Sequence, residues 1–163
     1  MSADLKGALT VKKITNHAKL EEKELPKFLK DLEKYNGEHQ TKLAFKLIIL
    51  TAVRTIELRG ARWEEIDFTK KEWHIPAERM KMGEKHIVPL AKQSLAILKE
   101  MQKITGNREF VFPSHQNPNK FMSENTLLGV IYRLGYKSKT TTHGFRAVFS
   151  TILNEHGFNP YTP

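Results

Sequence analysis

The feature that most constrains the fold is a change of hydrophobic periodicity between residues 63 and 90. Before and after this segment, apolar residues recur every three or four positions, which indicates amphipathic helices. Inside it, three short runs alternate partly between apolar and polar residues: 64–68, 72–76 and 86–90. The chain is therefore predicted to be mainly α with a small three-stranded antiparallel β-sheet, an α+β fold. Pro76 and Pro89 fit strand ends or an edge strand, because proline cannot donate to the ladder.

Helices are predicted for most of the remaining chain. Apolar spacing together with capping and stop signals predicts one helix from about residue 20 to Asn36-Gly37, a second over 41–52, a short third capped by Thr55, a fourth over 91–104, a fifth between Ser123 and Gly135, and a sixth between Thr142 and Gly157. The second is the most uniformly apolar and is expected deep in the core. The predicted buried positions of the fifth are Leu127, Leu128, Ile131 and Leu134. Residues 1–19 form a lead-in, and 1–163 are expected to form a single domain.

The charge balance favours a polyanionic partner. The 163 residues include 27 Lys and Arg against 18 Asp and Glu, giving a net charge of +9 and a pI near 9.7. DNA or RNA is the usual partner of such a surface, and the alternative is a basic surface with no binding role. The absence of cysteine excludes disulfides and thiolate metal sites. No run reaches membrane-spanning length and no signal peptide is visible, which argues against a membrane or secreted protein.

The start of the last predicted helix places two cationic side chains beside a helix N-terminus. Thr142 is a good N-cap, and His143 and Arg146 lie three residues apart, so they project side by side from the first turn. Free N–H groups and the helix dipole favour an anion at such an end. The segment is a candidate anion site, and a capped surface helix with a solvated His and Arg is the alternative.

Arg54 is a second candidate cation, because it lies at the predicted junction of the second and third helices. Glu57, three residues later, can hold the guanidinium of Arg54 by a charge-assisted contact. The alternative is an ordinary Arg–Glu surface pair, which contributes little to stability.

Two further segments carry candidate contacts. Lys81 lies on the link between the second and third predicted strands, where a lysine can reach into a groove, and the alternative is a solvated loop. The loop before the last helix is basic and rich in hydroxyls. Its Lys137, Lys139 and Thr141 are candidate contacts to a phosphate backbone, and the alternative is a solvated linker.

Taken in order, these segments resemble the tyrosine recombinases, the phage integrases. Residues 51–63 (TAVRTIELRGARW) look like the first catalytic box of that family. Residues 76–82 (PAERMKM), followed by 86–90 (HIVPL), look like its lysine-bearing β-hairpin, and 143–146 (HGFR) look like its second box. The resemblance covers nearly the whole chain and is closest to prophage and genomic-island integrases.

The resemblance implies the catalytic domain of a site-specific DNA recombinase that works through a 3′-phosphotyrosine intermediate. Arg54 and Arg146 would grip the phosphate oxygens, where two guanidinium forks suit the added negative charge. Lys81 would protonate the departing 5′ oxygen as general acid. His143 would hydrogen-bond the phosphate and assist proton transfer, and Glu57 would buttress the site. No metal and no nucleotide cofactor is implied.

The family's nucleophilic tyrosine follows the second box, on helices beyond the end of this sequence. Seventeen residues follow Arg146 here. Tyr161 lies soon after the last predicted helix and beside two prolines, so the nucleophile is not assigned to it. Tyr132 and Tyr136 precede the second box and are not assigned either. We therefore expect a catalytic-domain fragment that lacks its nucleophile segment and is inactive alone.

The resemblance also implies partners and a compartment: double-stranded DNA, other integrase protomers bound to it, and the bacterial cytoplasm, with nucleoid association when on DNA. The alternative is a non-catalytic DNA-binding module of the same fold. A protein-interaction fragment with an incidental positive charge is a third possibility.

Overall fold

The computed structural model describes residues 21–136 and residue 146. The helices in this part of the chain are α1 (Leu25–Glu33), α2 (His39–Thr51), α3 (Thr55–Arg59), α4 (Lys92–Thr105) and α5 (Glu124–Arg133). The strands are β1 (Ile66–Asp67), β2 (Glu72–Ile75) and β3 (His86–Pro89). Short 3-10 turns precede α1, β1 and the tip of the β2–β3 hairpin: Glu22–Glu24, Trp63–Glu65 and Ala77–Arg79.

The three strands form an antiparallel sheet in the order β1-β2-β3, as predicted. Trp73 of β2 faces Ile66 on one side and Val88 on the other. Trp73, Ile75 and Val88 are buried, whereas His74 and Ile87 on the opposite face are not. The alternation in the sequence therefore corresponds to one core-facing and one outer face. Pro89 is the last residue of β3, an edge strand, and Pro76 directly follows β2, which confirms both positions.

The core is built around α2. Most of its residues are buried, and the helix contacts α3, α4 and α5, which confirms the prediction from its apolar character. Phe45 of α2 packs on Phe28 of α1 with ring centroids 5.7 Å apart, and Phe28 meets the edge of Tyr136 at 5.0 Å. Burial of these large side chains supplies the main favourable term in folding.

Several predicted boundaries were wrong. The first helix ends at Glu33, before Asn36-Gly37, because its last turn tightens through Tyr35 N–H to the Leu32 carbonyl. The first predicted strand shrinks to β1, because Trp63–Glu65 form a 3-10 turn. Thr55 is the first residue of α3, and its N-cap is Arg54.

Both boundaries of α5 agree with the prediction more closely. Ser123 is its N-cap. Gly135 has φ +85° and donates to the Tyr132 carbonyl, and Tyr136 donates to that of Ile131. This pair of bonds is a Schellman motif, which requires a residue that tolerates positive φ. Leu127 and Ile131 are buried as predicted, whereas Leu128 and Leu134 are only partly buried.

Three sequence-based assignments fall outside the described part of the chain. These are the lead-in over 1–19, the loop that carries Lys137, Lys139 and Thr141, and the predicted last helix, of which Arg146 alone is described. No helix within residues 21–136 is long and apolar enough to cross a lipid bilayer.

Candidate functional site

The junction between α2 and α3 is a sharp turn made without glycine. Ala52 adopts the left-handed conformation (φ 54°, ψ 23°) and donates its N–H to the Ile48 carbonyl at 2.9 Å. A non-glycine residue pays roughly 1–2 kcal/mol for this conformation, so the surrounding packing must hold it in place. Ala52 and Val53 are both buried. The turn ends α2 abruptly and sets the position of Arg54 at the start of α3.

Glu57 holds Arg54 through its backbone. The Glu57 carboxylate accepts the Arg54 backbone N–H at 3.0 Å, and Glu57 is only 4% exposed. This contact is the reciprocal half of a capping box, in which the side chain at the third helical position satisfies the N-cap N–H. The predicted contact between Glu57 and the Arg54 guanidinium is therefore replaced by one to the peptide group.

Arg54 is partly buried, and its guanidinium has no hydrogen bond or ion pair to residues 21–136 or 146. A guanidinium is more weakly hydrated than an ammonium and presents a planar fork of donors. Fixed at its backbone, and with a guanidinium that has no partner among the described residues, Arg54 is suited to bind an oxyanion.

Arg146 reaches the same junction from the other end of the chain. Its Nε donates to the carbonyl oxygen of Ala52 at 2.6 Å, across 94 residues of sequence. That bond occupies Nε, and the terminal nitrogens have no partner among the described residues. Arg54 lies two residues after the acceptor. The structure thus brings two of the four predicted site cations to one turn.

Lys81 lies on the tip of the β2–β3 hairpin. All residues from 81 to 85 are exposed, and Met82 is 81% exposed. Gly83 has φ +70° and donates to the Met80 carbonyl at 3.0 Å, which closes the turn. Lys81 has no ion pair to any described residue, and no contact joins it to Arg54 or Arg146. His143 lies outside the described residues.

The start of the β2–β3 connection contains a largely buried ion pair that sequence reasoning missed. Arg79 donates from Nε and Nη2 to the two carboxylate oxygens of Glu65, both at 2.8 Å, and from Nη2 to the Glu57 carbonyl at 3.1 Å. Glu65 also accepts from the Arg62 backbone N–H and from Nε1 of Trp73, each at 3.2 Å. The signal in the sequence is weak, because no periodicity relates residues 65 and 79, and charged residues near a hairpin are usually solvated.

Arg59 anchors the other end of α3. Its Nη1 donates to the Met122 carbonyl at 3.2 Å, and its guanidinium lies over the ring of Phe121 at 5.6 Å. Burial lowers the pKa of Arg59, against a smaller opposite effect of Glu124. Helix α3, whose N-cap is Arg54, is thus tied to the segment before α5 as well as to the hairpin.

Two of the tyrosines are engaged in structural contacts. The hydroxyl of Tyr136 donates to Asp31 at 2.9 Å, and burial is the main cause that raises its pKa. The hydroxyl of Tyr35 accepts from Nη1 of Arg133 at 2.9 Å. Tyr132 is 48% exposed on α5. Tyr161 lies outside the described residues.

Within residues 21–136 and 146, no group of three or more His, Asp or Glu side chains could hold a metal ion. The expectation of a site without metal or cofactor stays a prediction. The groups in the described site that can bind an anion are the guanidinium groups of Arg54 and Arg146.

Comparison with known proteins shows matches along almost the whole sequence. Residues 18–162 match the phage integrase family. The integrase of Enterobacteria phage P4 is 40% identical over 170 residues, covering 96% of this chain and 39% of that protein. The prophage integrase IntA of Escherichia coli K12 is 42% identical over 137 residues, covering 84% of this chain and 33% of that protein. The chain thus spans less than two-fifths of the length of these relatives.

Solved structures with a similar fold include the Tn1549 transposon integrase in complex with circular intermediate DNA. It has a TM-score of 0.68 and 18% identity, over 98% of this chain and 59% of that one. The XerH site-specific recombinase, bound to its difH substrate in a pre-cleavage complex, has a TM-score of 0.67 and 18% identity, over 87% of this chain and 44% of that one. These likenesses confirm the predicted fold class, that of a tyrosine recombinase catalytic domain.

Proposed function

The chain belongs to the phage integrase family, and on that premise we propose that it forms the phosphate-binding part of a site-specific DNA recombinase catalytic domain. The observation that carries the proposal is the hydrogen bond from Arg146 to the Ala52 carbonyl, two residues from Arg54. The Arg146 side chain, from a distant part of the chain, is thereby bonded to the buried turn that leads into Arg54. The positive net charge and the DNA complexes of the structural neighbours agree with a DNA substrate.

In the proposed reaction, the two arginines bind the scissile phosphate. As a nucleophile attacks, phosphorus becomes five-coordinate and negative charge grows on the non-bridging oxygens. Arg54 and Arg146 present pre-positioned donors to those oxygens, which lowers the energy of the transition state more than that of the ground state. Preorganisation matters here: Glu57 fixes the Arg54 backbone, and Ala52 orients the Arg146 side chain.

The proposed chemical step exchanges one phosphate ester for another. A tyrosine oxygen forms a bond to phosphorus while the bond from phosphorus to the 5′ oxygen breaks. Lys81 gives its proton to the departing 5′ oxygen, and His143 assists removal of the phenol proton. The product is a 3′-phosphotyrosine and a free 5′ hydroxyl. Attack by a 5′ hydroxyl reverses the step and rejoins DNA without a nucleotide.

We assign the nucleophile to a tyrosine outside these 163 residues. The hydroxyls of Tyr35 and Tyr136 are already engaged by Arg133 and Asp31. The proposed assembly therefore needs the rest of the integrase to supply the tyrosine, and Lys137, Lys139 and Thr141 serve as contacts to the DNA backbone. Further protomers bound to the same DNA complete the proposed assembly. It acts in the bacterial cytoplasm, on the nucleoid when bound to DNA.

Arg54→Ala in an integrase that carries this chain and its tyrosine segment tests the proposal. We expect covalent protein–DNA product on a nicked substrate to fall by a factor of about 100 or more, with most DNA affinity kept. The matched control is Arg108→Ala, an exposed arginine after α4, which should cleave like the parent. Unchanged cleavage by Arg54→Ala would favour the non-catalytic DNA-binding module. DNA binding that is absent or insensitive to salt would favour a protein-interaction fragment.

A further inference from the structure

Arg79 lies where the β2–β3 hairpin meets α3. It ends the 3-10 turn Ala77–Arg79, two residues before Lys81. Its guanidinium makes a two-pronged contact with Glu65 and a further bond to the Glu57 carbonyl. A bidentate pair of this kind restricts orientation as well as distance. The start of the β2–β3 connection is thereby tied to α3, the helix whose N-cap is Arg54.

The contacts of Arg79 form a short path between Arg54 and Lys81. Arg79 bonds to the carbonyl of Glu57, and the carboxylate of the same Glu57 accepts the backbone N–H of Arg54. Two hydrogen bonds therefore separate the Arg79 guanidinium from the Arg54 peptide group. On the other side, two peptide bonds separate Arg79 from Lys81.

The pair of Arg79 and Glu65 is unusually well buried for this molecule. Their side chains are 17% and 4% exposed. Each of the other ion pairs within residues 21–136 has at least one side chain that is 34% exposed or more. A buried pair contributes little net stability compared with apolar packing, whereas its geometry strongly limits how the two elements sit together.

Gly60 supports the same conclusion independently. It follows α3 with φ −85°, a conformation open to any residue, so its backbone does not require glycine. A Cβ at this position would instead clash with Nη1 of Arg79 and come within 3.2 Å of the Ile56 carbonyl. Glycine therefore leaves room for the guanidinium beside α3.

We propose that Arg79 is a positioning residue that fixes the Lys81 hairpin relative to Arg54, an inference that rests on the function proposed above. Arg79 does not touch the phosphate in this role: Nε and Nη2 donate to Glu65 and Glu57, and Nη1 lies against Gly60. Arg79 acts through Lys81, because the exposed tip, 81–85, directly follows the 3-10 turn that Arg79 anchors to Glu65 and Glu57. Loosening that turn misplaces the proton donor while the two phosphate-binding arginines keep their own anchors.

A substrate with sulfur in place of the scissile 5′ oxygen separates this role from general structural damage. A thiolate leaves without being protonated, because a thiol is far more acidic than an alcohol, so this substrate does not need Lys81. For Arg79→Lys, which keeps the charge and loses the fork, we expect cleavage of ordinary DNA to slow by about 100-fold. On the sulfur substrate we expect a rate within about threefold of the parent, in the same tyrosine-containing integrase.

Two further variants provide a second test of the Arg79 position and a control. Gly60→Ala displaces the same guanidinium without removing any charge and should reproduce the pattern of Arg79→Lys. Arg62→Gln removes a guanidinium from the exposed pair with Glu109 and should cleave both substrates like the parent. If Arg79→Lys and Gly60→Ala are equally slow on both substrates, or normal on both, the positioning role is wrong.

The outcome also distinguishes this inference from the proposed function. Loss of cleavage in Arg54→Ala and Lys81→Ala together with normal rates in both Arg79→Lys and Gly60→Ala would overturn the positioning role alone. Normal cleavage in Arg54→Ala and Lys81→Ala would overturn both.

Discussion

Nε of Arg146 lies 2.6 Å from the carbonyl oxygen of Ala52. That carbonyl belongs to a left-handed residue, so its direction depends on a backbone conformation that alanine rarely adopts. The position of Arg146 is thereby coupled to the way α2 ends. Because Arg54 follows two residues later, the same turn sets where the Arg54 side chain starts and accepts the hydrogen bond from Nε of Arg146.

Ala52→Val should destabilise the chain by about 1–2 kcal/mol, because a β-branched residue tolerates positive φ worse than alanine. Ala52→Gly should stay within about 1 kcal/mol of the parent, since relief of the left-handed conformation offsets greater freedom of the unfolded chain. Urea denaturation measures both free energies of unfolding. Ala96→Val, on the exposed face of α4, is the control and should cost less than about 0.7 kcal/mol. An equal loss at positions 52 and 96 would contradict the importance of the turn.

Arg54→Ala should weaken DNA binding by the 163-residue chain and make it less dependent on salt. Each phosphate contact contributes about 0.9 to the slope of log affinity against log salt concentration. We therefore expect the slope to fall by roughly one unit, measured by fluorescence anisotropy of a labelled duplex over a potassium chloride series. Arg108→Ala should leave the slope unchanged. An unchanged slope in Arg54→Ala would mean that its guanidinium does not reach a phosphate.

Local periodicity predicted α2 and the three-stranded sheet, but not the length of β1 or the N-cap of α3. The buried α2 and the three-stranded sheet follow from short-range patterns, because burial alternates with the period of the element itself. Gly135 was also predictable, since few other residues accept the positive φ that ends α5. The assignment of Arg54, Lys81, His143 and Arg146 as site cations rests on their resemblance to the family boxes and stays a prediction.

The contacts that position those cations were not predictable in the same way. Nothing in an alanine signals a left-handed conformation at residue 52. Glu57 was expected to meet a guanidinium, and it instead accepts a peptide N–H, because capping α3 satisfies a donor that would otherwise be unpaired. Arg79 and Glu65 are brought together by strand pairing, which the positions of single charges do not reveal.

Glu65→Gln should lower the free energy of unfolding by about 2–3 kcal/mol, because it leaves the partly buried Arg79 guanidinium without its counter-charge. Urea denaturation of the 163-residue chain measures the change. The matched control is Glu109→Gln, which removes a carboxylate from the exposed pair with Arg62 and should cost less than about 1 kcal/mol. Equal effects at the two positions would show that burial of the Arg79 pair has no energetic consequence.

Tyr136→Phe should destabilise the chain by about 1 kcal/mol at neutral pH, because it loses the hydrogen bond to Asp31. The ring, which packs on Phe28, is retained.

The effect should depend on pH in a defined direction. Burial raises the pKa of Tyr136 above its ordinary value of 10.0, so the folded state keeps the neutral phenol. Its contribution is therefore fully present below pH 10 and is lost as the pH rises from 10 through the folded-state pKa. Thermal unfolding of both proteins between pH 7 and 11 should show the parent losing its advantage over Tyr136→Phe only above pH 10. A difference that stays constant to pH 11 would mean that the phenol titrates alike in the folded and unfolded states, against the contacts that Tyr136 makes with α1.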